Sequence, residues 1–155
     1  MRLQDILTLD CTQCAAPASS KKHILEKICL LAAEKMGNCN ASDLLESILN
    51  REEMGSTGIG NGIAIPHARL NNTDKAMAVL LTTKKAIDFD AIDNQAVDIF
   101  ICLIIPQNST QEHLNTLQSI AQLFSERKTA KQVRKCTNDL QLFDLIQQEK
   151  VKSIQ

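Results

Sequence analysis

The ten residues "VDIFICLIIP", Val97–Pro106, are apolar at almost every position and carry one charge, Asp98. A strand with one wet face alternates apolar and polar residues, whereas one that is apolar on both faces is covered on both. The run is also far too short to span a bilayer. It therefore predicts the central strand of a sheet packed between two layers.

The flanking segments supply those layers. "AMAVLLTT" (residues 76–83) is a second bounded aliphatic run, and "AIDFD" (86–90) suggests a short edge strand. "GIAIPHA" (62–68) predicts a strand ending near Pro66, because proline disfavours helix in the residue before it and donates nothing to a sheet. Toward the N-terminus, Ile24, Ile28, Leu31 and Ala32 recur at helical spacing over Lys21–Met36, with Gly37 placed to end the helix. A second helix follows Asn40, with Asp43 in its first turn and Leu44, Leu45, Ile48 and Leu49 on its buried side. It is expected to run out at residues 51–53, where a glycine-rich stretch begins. After the central strand, Ser109 and Glu112 form a capping-box pattern ahead of Leu114, Leu117, Ile120, Ala121 and Phe124. Thr129 with Gln132, and Asn138 with Gln141, open two further helices. Helices before and after a block of strands imply an α/β sandwich.

A chain of 155 residues fits one domain, 1–155, in which residues 1–18 read as an N-terminal lead-in. The net charge of -1 gives no pull toward nucleic acid or an anionic membrane. With no Trp and no Tyr, the usual stacking platforms for bases and sugar rings are missing. No apolar run is long enough for membrane insertion, and "MRLQDILTLD" at the start lacks a signal-like apolar segment, so a cytoplasmic location is expected. Nothing in the pattern specifies an oligomeric state.

Six cysteines in that compartment read as free thiols rather than a disulfide framework. "CTQC", Cys11 with Cys14, is the one close pair. A zinc ribbon requires two such pairs, and a thioredoxin-like site requires a strand before the motif, which the sequence barely offers. Incidental thiols are the favoured reading, with redox or metal use left open.

Four of the five glycines fall in "GSTGIGNG" (55–62), just upstream of His67 in "IAIPHAR". A Walker loop fails because Asn61 occupies the lysine position. The dinucleotide pattern fails because the third glycine would fall on Ile63 or Ile65. Glycines still permit positive φ and close backbone approach. Consecutive free N–H groups around Gly58, with the hydroxyls of Ser56 and Thr57, would make an anion-binding nest, and Arg51 upstream is a bidentate phosphate partner. A phosphate cradle beside an imidazole points to phosphoryl transfer through phosphohistidine. The plainer alternative is a tight turn with a satisfied histidine at a strand end.

The stretch "REEMGSTGIGNGIAIPHARL" (51–70) resembles the active-site signature of the enzyme IIA domains of the bacterial phosphoenolpyruvate-dependent phosphotransferase system. Within that system it resembles the fructose–mannitol class, and more narrowly is similar to the nitrogen-regulatory type. The resemblance continues through "FDAIDNQAVDIFICLIIP" (89–106) and "HLNTLQSIAQLF" (113–124), while "CTQC" lies outside the family pattern. It implies a mixed sheet of about five strands flanked by helices on both faces. It further implies that His67 carries the phosphoryl group, that Arg51 and His113 are its active-site neighbours, and that Ser56 and Thr57 lie beside the phosphate. The nucleophile would be Nε2, with the other ring nitrogen donating to an acceptor that fixes the tautomer. The implied donor is a small histidine phosphocarrier protein, and the implied targets include a potassium transporter or a sensor kinase.

No cofactor is expected, and His67 with His113 leaves a catalytic metal without a third ligand. His23, beside Lys21 and Lys22, reads as a surface residue. Two other functions stand beside the regulatory one: a sugar-specific subunit passing phosphate to a membrane permease, and a module that binds an anion without forming a covalent bond.

Overall fold

The computed structural model describes residues 2–71, 73–108 and 110–154. Its elements run α1 (Leu3–Ile6), β1 (Leu7–Gln13), α2 (Lys21–Met36), α3 (Ala41–Glu53), β2 (Gly58–Gly60), β3 (Ile63–Ala64), β4 (His67–Leu70), β5 (Met77–Ile87), β6 (Val97–Pro106), α4 (Thr110–Ser125), α5 (Arg127–Lys135) and α6 (Asp139–Ile154). The sheet is mixed, in the order β1-β5-β6-β3-β2, with β4 also paired to β6. β6 is antiparallel to β5 and parallel to β3 and β4.

The two-sided run is central, as its composition demands. Phe100, Cys102 and Ile104 of β6 enter one core with Ile24, Ile28, Leu44 and Ile48 of α2 and α3. Ile99 and Ile101 enter the other, with Ile120 and Phe124 of α4, Val133 of α5 and Leu142 and Ile146 of α6. The layer pattern is the expected α/β sandwich.

Helix ends follow local chemistry. Ser20 caps α2 by accepting from the His23 N–H, and Gly37 ends it at φ 76. Asn40 caps α3 through the Asp43 N–H. The Asn138 side chain accepts from the Gln141 N–H at 2.8 Å, so this pair opens α6 as read. α5 begins earlier than Thr129 suggested: Glu126 takes the cap position, and Thr129 is buried inside the helix. Ser109, of the pattern with Glu112, lies outside the described residues.

Four strand expectations change. Among the described residues the sheet has six strands, where about five were expected, because the supposed lead-in supplies α1 and the sheet strand β1, parallel to β5. "AIDFD" makes no separate edge strand; Ala86 and Ile87 lengthen β5. "GIAIPHA" is no single strand, since β3 ends at Ala64. Nor does Pro66 end the pairing, because its carbonyl accepts the Leu103 N–H at 3.0 Å and β4 resumes with His67 opposite Leu103. Proline costs a donor but leaves its acceptor, and the ladder uses that acceptor.

Candidate functional site

The end of α3 and the start of β4 converge on one hydrogen bond. Arg51 lies in the last turn of α3, where a cation suits the helix dipole. Its Nη1 donates to the Gly55 carbonyl at 2.8 Å and its Nε donates to His67 Nε2 at 3.1 Å. The other ring nitrogen, Nδ1, lies 3.1 Å from the Ile65 carbonyl. A guanidinium only donates and a carbonyl only accepts, so the proton belongs on Nδ1 and the lone pair on Nε2. The half-buried ring is thus held neutral, with the lone pair of Nε2 toward Arg51.

The electrostatics agree with the tautomer. Burial lowers the His67 pKa below its ordinary value. The Ile65 carbonyl opposes that shift, the Arg51 charge adds to it, Glu52 opposes it, and Arg69 again adds to it. Arg69 is a residue the sequence reading passed over. It stands two residues along β4 from His67, so strand alternation puts both on one face, and it is exposed. The period-two rule applied to "HAR" was the signal for it.

The glycine stretch differs from the expected cradle. Glu52 is buried, and its carboxylate accepts from the Thr57 N–H at 3.2 Å, from the Thr57 hydroxyl, and from Lys21 Nζ at 2.9 Å. Ser56 donates its hydroxyl to the Phe89 carbonyl at 2.8 Å and accepts the Gly58 N–H at 3.0 Å. At rest the hydroxyls of Ser56 and Thr57 and the N–H groups of Thr57 and Gly58, expected to face a phosphate, are engaged by protein acceptors. A buried carboxylate must be satisfied, and Glu52 claims the nearest donors. Gly58 serves close approach instead: a Cβ there would stand 2.7 Å from the Ala91 Cβ.

His113 sits in the first turn of α4, the helix that follows β6, and is only 2% exposed. β4 runs parallel to β6, with Leu70 opposite Pro106, so α4 starts at the end of the sheet toward which His67 and Arg69 lead. His23 is exposed on α2, as read. Cys11 is fully buried, whereas Cys14 is half-buried. Among the described residues, no group of three or more His, Cys, Asp or Glu side chains could hold a metal, and no helix is long and apolar enough to cross a membrane.

Comparison with known proteins identifies the family. The family described as "Phosphoenolpyruvate-dependent sugar phosphotransferase system, EIIA 2" matches residues 5–149. A nitrogen regulatory protein from Klebsiella oxytoca is 40% identical over 147 residues, covering 94% of this chain and 90% of that protein. One from Pseudomonas aeruginosa is 35% identical over 146 residues, covering 94% and 95%. The crystal structure of the nitrogen regulatory protein IIA-Ntr from Neisseria meningitidis superposes with a TM-score of 0.85 at 30% identity, covering 92% of this chain and 97% of that one. The mannitol IIA of Escherichia coli shares the fold, with a TM-score of 0.69 at 18% identity over 85% of this chain and 92% of that one. The chain belongs to the EIIA 2 family of the phosphoenolpyruvate-dependent sugar phosphotransferase system, a family of phosphocarriers.

Proposed function

We propose that His67 accepts a phosphoryl group on Nε2 from a small histidine phosphocarrier protein, and that the phosphorylation state governs binding to regulatory targets in the cytoplasm. The observation that carries this is the pair of opposed bonds on the ring, Ile65 at Nδ1 and Arg51 at Nε2. Together they leave one lone pair, on the nitrogen that must attack.

In the transfer, the Nε2 lone pair bonds to phosphorus as the donor's own nitrogen–phosphorus bond breaks. Nδ1 keeps its proton, so the phosphorylated ring gains positive character, which the Ile65 carbonyl is positioned to accept. Arg51 occupies the attack direction at rest, so it must turn aside. Its guanidinium then pairs with the arriving phosphoryl oxygens, with charge-assisted bonds worth about 1.5–3 kcal/mol each. Charge on those oxygens dominates a loose transition state, which favours fixed cations over a strong base. Arg69 adds a second cation on the same face. His113, in the first turn of α4, is the proposed second histidine of the site, a donor to the phosphoryl oxygens, as the resemblance implies.

The regulatory role rests on the relatives named nitrogen regulatory protein. Potassium transport and sensor kinases are the proposed targets. The test is incubation with phosphoenolpyruvate, enzyme I and the small phosphocarrier, followed by mass measurement. An acid-labile, base-stable gain of one phosphoryl group, lost in His67→Ala, is expected. A gain that survives His67→Ala moves the site, and no gain favours a non-covalent anion module. Because His113 is buried, His113→Gln is the safer probe than alanine; a wild-type transfer rate in that variant removes it from the mechanism.

A further inference from the structure

The pair in "CTQC" is not a pair in space. Cys11 and Cys14 are three residues apart at the end of β1 and belong to opposite sides of the sheet. Cys11 is fully buried in the core under α2 and α3, while Cys14 packs at the edge of the core under α4, α5 and α6. Burial raises the Cys11 thiol above its ordinary range and raises the Cys136 thiol in the same direction, so what sets them apart is access: Cys11 is fully buried and Cys136 half-buried.

Cys14 has a different neighbour. Its Sγ donates to the backbone carbonyl of Cys136 at 3.1 Å, across 122 positions of sequence. Its backbone N–H donates to Asp139 Oδ1 at 2.7 Å, so the end of β1 is tied to the link between α5 and α6 by two bonds. Cys136 packs at the edge of the same core as Cys14, and both are half-buried. Both line one open cavity of about 520 Å³, together with Lys84 and the ion-paired Arg134 and Asp98. Cys136 is the C-cap of α5, in extended backbone at φ -65, so its side chain is not confined by a helix beyond it. Its Sγ rests on the Gln132 carbonyl at 3.5 Å, a weak hold that one side-chain rotation releases.

We propose that Cys14 and Cys136 are a modification site, a thiol pair that closes to an intramolecular disulfide when the protein meets a peroxide. One thiolate attacks a peroxide oxygen; the O–O bond breaks, giving a sulfenic acid and hydroxide. The second thiolate then attacks that sulfur and expels hydroxide. Two thiols lose two electrons and two protons, and hydrogen peroxide becomes two waters. The bridge joins β1 to the α5–α6 connector. Arg134, two residues before Cys136, donates to the Asn61 carbonyl at 2.7 Å and to Asp98 at 2.9 Å, so the bridge also fixes the helix end that holds the glycine turn.

The full-length protein is treated with hydrogen peroxide, alkylated in denaturant and digested without reductant. The expected product has lost two hydrogen masses and links the peptide carrying Cys14 to the one carrying Cys136, and the link is absent from Cys14→Ser and from Cys136→Ser. Cys11 and Cys14 share a tryptic peptide, so fragment masses assign the linked sulfur. The melting temperature of the wild type is expected to rise on oxidation and to return with dithiothreitol, with no such cycle in Cys136→Ser. A link to Cys11, a link formed only between two chains, oxygen added to Cys14 without a link, or no oxidation at all would each overturn the proposal.

Discussion

Lys21 Nζ stands 2.9 Å from Glu52 Oε1, beneath the turn that separates Arg51 from His67. The contact unites the first residue of α2 with the penultimate residue of α3, one position past the arginine that holds the histidine ring. Lys21 also lies 4.5 Å from the centre of the Phe89 ring. Glu52 gathers Lys21 and Thr57, and Phe89 gathers Lys21 and Ser56 through its carbonyl. The glycine turn is therefore braced from below by a buried carboxylate and its cation.

Removing the cation should destabilise the fold. Losing one partner of a fully buried pair costs about 3–5 kcal/mol. Lys21 retains 23% side-chain exposure, so Lys21→Met is expected to cost about 2 kcal/mol. Urea unfolding at neutral pH measures it. A loss under about 0.5 kcal/mol would show a surface-type pair with little hold on the turn.

Gly58→Ala should destabilise through a contact rather than through backbone strain. The new Cβ would meet the Ala91 Cβ at 2.7 Å and the Ala91 Cα at 3.0 Å. Overpacking of this kind costs about 1–3 kcal/mol. Removing the opposing methyl relieves part of the clash, so adding Ala91→Gly to Gly58→Ala should recover some stability in a double-mutant cycle. Strictly additive losses would rule out the close approach as the reason for glycine.

How much of this was readable in the residues depends on how local each cause is. β6 was legible because two covered faces leave a continuous apolar run, and Gly37, Asn40 and Asn138 were legible because a cap is decided within a few positions. β1 was not: "LTLDCTQ" breaks the alternation, with Leu9 and Asp10 both exposed and Cys11 and Thr12 both buried, and only pairing with β5 makes it a strand. The identity of His67 and Arg51 as partners followed from a family signature, but the bond between them needed the fold. The glycine stretch was only partly legible for the same reason, since Gly58 meets Ala91 and Thr57 meets the buried Glu52 beneath it. Distant partners leave no local pattern.

The Arg51 charge should be visible in the titration of His67. Burial is the largest cause lowering that pKa, and the Arg51 charge lowers it further. Arg51→Ala should therefore raise it toward the ordinary value of about 6.5, without reaching it while the ring stays half-buried. Imidazole NMR shifts followed against pH give the value directly. The same shift carries a stability consequence. The unfolded chain protonates His67 at higher pH than the folded one, so wild-type stability should fall as pH drops from about 6.5 through the folded pKa. His67→Gln removes that segment of the curve, and Arg51→Ala narrows it. A downward shift of the histidine pKa in Arg51→Ala would contradict the assignment of charge around the ring.

Arg69 provides the remaining test, because its charge bears on His67 without a direct bond between the two. A cation on the face where a phosphorylated partner arrives raises the encounter rate and steadies the incoming anion, and both effects weaken with salt. Arg69→Ala should slow phosphoryl acceptance by roughly threefold to tenfold at low ionic strength. The deficit should shrink near 1 M salt, where the Debye length is about 3 Å. Because Arg69 is exposed, the melting temperature should stay close to that of the wild type. Single-turnover transfer at two salt concentrations separates the outcomes. A deficit that persists unchanged in high salt would mean that Arg69 contacts the phosphoryl group at short range, and no deficit at either concentration would remove it from the site.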